Sequence, residues 1–235
     1  MDEPQKYLIF AVPFAGGSKR SFDVFKGMFP SHIDFLPLEL PGRGERSAER
    51  LKTDIHELIE DLYEQIKDRL HRPYALMGHS MGSMLIYLLT QKIISVNARP
   101  PAHLFISGSR GPSCDRREQR HLLPKDDFLA ELIRLGGMPE EILIHQELWD
   151  YFEPILRADF MLLETYAYTS PPPIDIPFTI FVGNKDDLVS REVWTWQKES
   201  SLPIKLHTFE GGHFFIYENH KTISTIITNR LENIC

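Results

Sequence analysis

The sequence predicts an α/β fold: a mostly parallel central sheet with helices on both faces. Two observations predict it. Short apolar runs that read as buried strands alternate with segments of helical periodicity. One helix-rich stretch breaks that rhythm without supplying a strand, which marks an insertion rather than a second fold.

Taken in order, Tyr7 to Val12 (YLIFAV) reads as a buried strand closed by Pro13. Ile33 to Leu40 reads as a second, ended by Pro41-Gly42. Asp54 to Leu70 is helical in pattern. Ile55, Leu58, Ile59, Leu62, Ile66 and Leu70 fall on one face, and Asp54 with Glu57 resembles a capping box. Tyr74 to Met77 is a short strand and Met81 to Ile94 a helix. His103 to Ser107, Phe178 to Val182 and Ile204 to Phe209 complete the strands. Val193 to Glu199 and His220 to Leu231 are the remaining helices.

From about residue 112 to 168 no strand is expected. Asp126 to Leu135 and Glu147 to Tyr166 read as helices, with Pro154 as a kink or a fresh start. Strands flank this stretch on both sides, so it is expected to be a helical lid inserted into one domain spanning residues 1–235. Pro171-Pro172-Pro173 marks the return to the sheet.

Length and composition suit a single ordered domain: 235 residues, 42% hydrophobic and 25% charged. The net charge of -7 argues against nucleic-acid binding, which needs a basic field. Two cysteines, Cys114 and Cys235, imply no disulfide framework. The start is acidic where a signal peptide is basic, and no stretch is long and apolar enough to span a membrane. A cytoplasmic monomer is expected.

The chemistry centres on Gly78-His79-Ser80-Met81-Gly82, a G-x-S-x-G between a strand and a helix. A serine at such an elbow sits in strained backbone, its hydroxyl projecting above the sheet, and glycines leave room for the neighbouring strand and helix. The helix N-terminus adds positive potential where an oxyanion develops. This is the signature of the α/β-hydrolase fold, and it makes demands elsewhere in the chain. A second backbone N–H should come from the loop after an early strand. Pro13-Phe14-Ala15-Gly16-Gly17 lies there, so the oxyanion donors are assigned to the N–H groups of Ala15 and Met81. The acid should follow a late strand, where Gly183-Asn184-Lys185-Asp186-Asp187 offers two aspartates. The base should follow the last strand. Of ten histidines, only His213 does so in a glycine-rich loop; His79 is expected to pack within the elbow, and His207 lies inside a strand. The order Ser…Asp…His is that of the fold.

Other patterns carry less. Gly42-x-Gly44 lacks the third glycine of a dinucleotide fingerprint, because position 47 is Ser47. No P-loop, zinc signature or other metal motif is present. Asp115-Arg116-Arg117-Glu118-Gln119-Arg120 is a charge run, read as a solvated face with Arg116, Arg117 and Arg120 as candidate docking cations.

Over nearly its whole length the chain resembles the type II thioesterases of nonribosomal peptide and polyketide synthesis. The resemblance rests on Pro-Phe-Ala-Gly-Gly at 13–17, Leu-Pro-Gly-Arg-Gly at 40–44 and Gly-His-Ser-Met-Gly at 78–82. It continues in Leu-Gly-Gly-Met-Pro at 135–139, Arg-Ala-Asp-Phe at 157–160 and Gly-Gly-His-Phe at 211–214. It implies a free-standing hydrolase that removes stalled or wrong acyl groups from the phosphopantetheine arm of acyl and peptidyl carrier protein domains. No cofactor of its own is implied, since the substrate carries the phosphopantetheine. The family's Gly-x-x-Asp spacing selects Asp186 as the triad acid. The thioesterases of animal fatty acid synthesis are related but differ in the oxyanion loop. A medium-chain fatty acyl thioesterase, a small-molecule carboxylesterase and a non-catalytic binding module on the same fold are the competing expectations.

Overall fold

The computed structural model describes residues 6–114, 118–136 and 145–233, apart from the side chains of Asp187 and Leu188. Its strands are β1 (Tyr7–Val12), β2 (Ile33–Pro37), β3 (Tyr74–His79), β4 (Leu104–Ser107), β5 (Phe178–Gly183) and β6 (Lys205–Phe209). They pair in the order β2-β1-β3-β4-β5-β6. Every pairing is parallel, so all strands deliver their C-terminal ends to one edge of the sheet.

Period-two side-chain direction sorts β1 onto two cores. Leu8, Phe10 and Val12 pack with α1 (Ile55–Ile66) and α2 (Met81–Ser95) on one face. Tyr7, Ile9 and Ala11 pack on the other with Phe22, Phe25 and the C-terminal helix Ile216–Glu232. Helix α1 keeps its predicted apolar stripe. Asp54 caps it, accepting from the His56 and Glu57 N–H groups at 2.8 and 3.1 Å. The reciprocal half of the box gives way to a pair between Glu57 and Lys52 at 3.1 Å.

Two boundaries differ from the apolar pattern. The second strand stops at Pro37 rather than Leu40, with the Leu38 N–H still donating to Ala11 O at 2.8 Å; Pro37 is tolerated because β2 lies at the sheet edge, where its missing N–H takes no bond from the ladder. The last helix starts at Ile216 rather than His220, its first turn burying Phe215 and Ile216. A 3-10 turn over Lys19–Phe25 was not expected. Its signals are Ser18 and Ser21, which form a reciprocal capping box.

Between β4 and β5 the described residues contain no strand. Helices α3 (Lys125–Leu135) and α4 (Gln146–Glu164) lie there, and α4 runs unbroken through Pro154. This segment has its own apolar cluster, Phe128, Leu132, Trp149 and Leu156, separate from the two sheet cores. Arg157 braces it, donating to the carbonyls of His121 and Leu123 at 2.9 Å and stacking 4.4 Å over the Phe128 ring.

One buried histidine makes stability depend on pH. His103 is buried, lies 2.8 Å from Thr179 Oγ1 and stacks on Phe105. Burial, helped by the charges of Arg230 and Lys205, pushes its pKa down to about 4 from 6.5. Above 6.5 the group is neutral whether the chain is folded or unfolded. As pH falls from 6.5 towards 4, the unfolded chain takes up a proton that the folded chain refuses, so stability declines. The loss is on the order of 3 kcal/mol. Thermal unfolding at pH 7 and pH 4.5 checks this: Tm falls in the wild type and falls less in His103→Gln.

Candidate active site

The elbow forms where β3 meets α2. Ser80 holds φ 54° and ψ -116°, a conformation unfavourable for a residue with a Cβ. It is held there from several sides. The Ser80 N–H donates to the Ser107 carbonyl at 2.7 Å, and Ser83 Oγ lies 2.9 Å from the carbonyls of both Gly78 and Ser107. The flanking glycines are required by close approach: a Cβ on Gly78 would lie 2.2 Å from the Gly82 carbonyl oxygen, and one on Gly82 2.0 Å from that of Val12.

Asp186 and His213 reach the serine from the ends of β5 and β6. Their loops are fastened to each other. Asn184 N–H donates to Phe209 O at 2.8 Å, Lys185 N–H to Gly211 O at 2.9 Å, and Gly211 N–H to Asn184 Oδ1 at 3.1 Å. This framework brings His213 Nδ1 to 2.6 Å from Asp186 Oδ2 and His213 Nε2 to 2.9 Å from Ser80 Oγ. Asp186 is 6% exposed, so its charge acts with little water around it. The alternative acid, Asp187, begins the short helix Asp187–Ser190; its side chain lies outside the described residues.

His79 packs beneath this chain as expected. It is fully buried, with Nδ1 2.9 Å from Ser107 Oγ and its ring 5.2 Å from that of His213. Burial, then electrostatic repulsion between it and the neighbouring His213 imidazole, holds its pKa well below the ordinary value, so it is a neutral wall.

Ser80 and His213 open onto a cavity of about 410 Å³ that Ala15 and Met81 also line. Leu132, Leu156, Phe160 and Leu163 of the helical segment form an apolar wall, and Arg110, Glu118, Arg120 and Glu164 a charged one. Arg120 is therefore not a free surface cation. It bonds Glu131 at 2.7 Å and Glu164 at 3.4 Å and lies over the Phe160 ring. The solvated-face reading of Arg120 is corrected by these partners. Arg116 and Arg117, and residues 137–139 of the Leu-Gly-Gly-Met-Pro motif, lie outside the described residues. Sequence reasoning also missed a buried ion pair, Arg43 with Asp159, beside the Phe14–Gly17 turn.

A parallel sheet with a strained serine elbow at the end of a central strand, and an acid and a histidine after later strands, defines an α/β-hydrolase. Residues 8–232 match the family model of the thioesterase domain, and the chain belongs to that family. It is an enzyme that hydrolyses thioesters. Among curated relatives, the gramicidin S biosynthesis protein GrsT of Aneurinibacillus migulanus is 33% identical over 91% of this chain and 84% of its own. Two solved structures are close in shape. ClbQ from the colibactin nonribosomal peptide and polyketide pathway has a TM-score of 0.91 at 27% identity, covering 97% of this chain and 98% of its own. The type II thioesterase BorB from the borrelidin biosynthetic cluster has a TM-score of 0.87 at 32% identity, covering 97% and 94%.

Proposed function

We propose that the enzyme removes acyl groups from the phosphopantetheine arm of carrier proteins in nonribosomal peptide or polyketide synthesis, through an acyl-serine intermediate. The observation that carries the mechanism is the unbroken chain from Asp186 through His213 to Ser80 at the mouth of a cavity with an apolar wall. The observation that favours this substrate is the likeness to GrsT, ClbQ and BorB over nearly the whole chain.

His213 Nε2 takes the proton of Ser80 as its oxygen attacks the thioester carbonyl. Asp186 holds the imidazole tautomer that presents Nε2 to the serine and stabilises the imidazolium. The N–H groups of Ala15 and Met81 receive the oxyanion, the second backed by the N-terminus of α2. On collapse His213 returns the proton to the departing sulfur, leaving a thiol on the arm and the acyl group on Ser80. Water, activated by the same histidine, then releases the acid. The enzyme supplies no cofactor, since the arm arrives on the substrate. The helices of residues 112–168 act as the lid of this site, within one domain.

In the described residues no helix is long and apolar enough to cross a membrane. The proposal places the enzyme in the cytoplasm as a monomer that meets its carrier by diffusion.

The competing carboxylesterase reading differs in leaving group. Parallel assays on an acyl thioester and the matched oxygen ester separate them. The expected kcat/KM favours the thioester by at least about tenfold, on the order of 1.4 kcal/mol in barrier; a preference for the oxygen ester would select the carboxylesterase.

A further inference from the structure

We propose that Arg43 and Asp159 are positioning residues that fix the Phe14–Gly17 turn, and so make the aim of the Ala15 N–H depend on the seating of helix α4. The inference rests on the reading of Ala15 as an oxyanion donor.

The geometry converges on the peptide that follows Ala15. Asp159 Oδ2 accepts the Gly16 N–H at 2.7 Å and Arg43 Nη1 at 2.6 Å, while Oδ1 accepts Arg43 Nη2 at 2.7 Å. Arg43 Nη1 also lies 3.4 Å from the Gly17 carbonyl oxygen. The side chains are 5% and 0% exposed. The turn closes on itself through Gly17 N–H to Phe14 O at 2.9 Å. Gly16 has φ +79°, and a Cβ there would lie 2.7 Å from Leu156 Cδ2. Leu156 and Asp159 are three residues apart on α4, so one helix face both presses on the turn and holds its amide. The three segments come from the loop after β1, the loop after β2 and the helical insert.

Stability alone is a poor reason for such a pair. Two charges taken out of water gain little over well-packed apolar side chains of similar volume. An apolar pair, however, cannot accept the Gly16 N–H or hold the Gly17 carbonyl. The charged pair fixes the orientation of peptides adjoining the donor, which is what an oxyanion site needs: donors set before the charge develops.

The test uses the full chain and two inhibitors. A trifluoromethyl ketone adds the serine oxygen to its carbonyl and forms a tetrahedral oxyanion; the corresponding thioether occupies the cavity without reacting. The apolar double variant Arg43→Met with Asp159→Leu leaves no unpaired charge. It is expected to keep a cooperative thermal transition, to lose 10- to 100-fold in kcat, on the scale of a misplaced oxyanion donor, with KM within about threefold. Affinity for the ketone falls by a comparable factor, and affinity for the thioether stays within about twofold. Asp159→Asn, which retains an oxygen for the Gly16 N–H, keeps more kcat than Asp159→Leu. A folded double variant with wild-type kcat, or equal losses for ketone and thioether, overturns the proposal. Should the double variant fail to fold, Arg43→Gln decides, because it removes the bidentate brace while leaving a hydrogen-bond donor beside Asp159: unchanged kcat and ketone affinity overturn it as well. Failure of the underlying active-site reading looks different, because the ketone then forms no adduct even with the wild type.

Discussion

Ser80→Ala abolishes thioester hydrolysis while leaving the fold in place. The expected loss in kcat is several orders of magnitude, on the order of 10⁴ or more, since removal of the nucleophile leaves only binding and oxyanion stabilisation. The fold is expected to survive because the elbow is held by other groups. The Ser107 carbonyl accepts the backbone N–H of residue 80, and the glycines at 78 and 82 make the tight approaches. Alanine keeps the Cβ already tolerated at φ 54°. The measurement is kcat on one acyl thioester with circular dichroism as the folding control. Near-full activity in a folded Ser80→Ala protein would remove the whole mechanistic assignment. Labelling by a fluorophosphonate, present in the wild type and absent in the variant, adds that the site is a nucleophile rather than a binding cavity.

Asp186→Asn has the next largest effect. Asp186 Oδ2 sits 2.6 Å from His213 Nδ1 in a 6% exposed position, so it both selects the tautomer and faces the imidazolium across little solvent. Asparagine keeps the shape, can stabilise the wrong tautomer and carries no charge. In serine proteases the equivalent change costs about 10⁴ in kcat. A thioester has a better leaving group than an amide, so a loss on the order of 10²–10³ is expected, scaled from that case. Asp187→Asn stays within about tenfold of wild type, because His213 Nδ1 is already occupied by its neighbour. If Asp187→Asn is the crippled enzyme and Asp186→Asn is not, the acid has been misassigned.

The parts of this site that were legible in the sequence share a property: each is announced by its immediate neighbours. Ser80 stands in a glycine-flanked elbow, and Asp186 and His213 stand in glycine-containing loops directly after apolar runs. Chain order in the fold then ties those loops to one sheet edge. Strand cores were legible for the same reason, as β1 and β5 show, whereas the edge strand β2 is shorter than its apolar run. Long-range polar pairing was not legible. Arg43 and Asp159 are 116 residues apart, and neither motif that contains them names its partner. Arg120 looked like part of a solvated charge run because its acidic partners, Glu131 and Glu164, lie 11 and 44 residues further on. Folding turned a candidate docking cation into part of the cavity's charged wall.

The central claim is that the acyl group leaves a carrier-borne thioester. The most direct measurement is the intact mass of an acylated phosphopantetheinyl carrier protein after incubation with the enzyme. The carrier is expected to lose the mass of its acyl group and keep its arm, ending as the free thiol, with no change when Ser80→Ala replaces the wild type. A carrier that stays acylated while the same enzyme cleaves the matched small oxygen ester would contradict the claim.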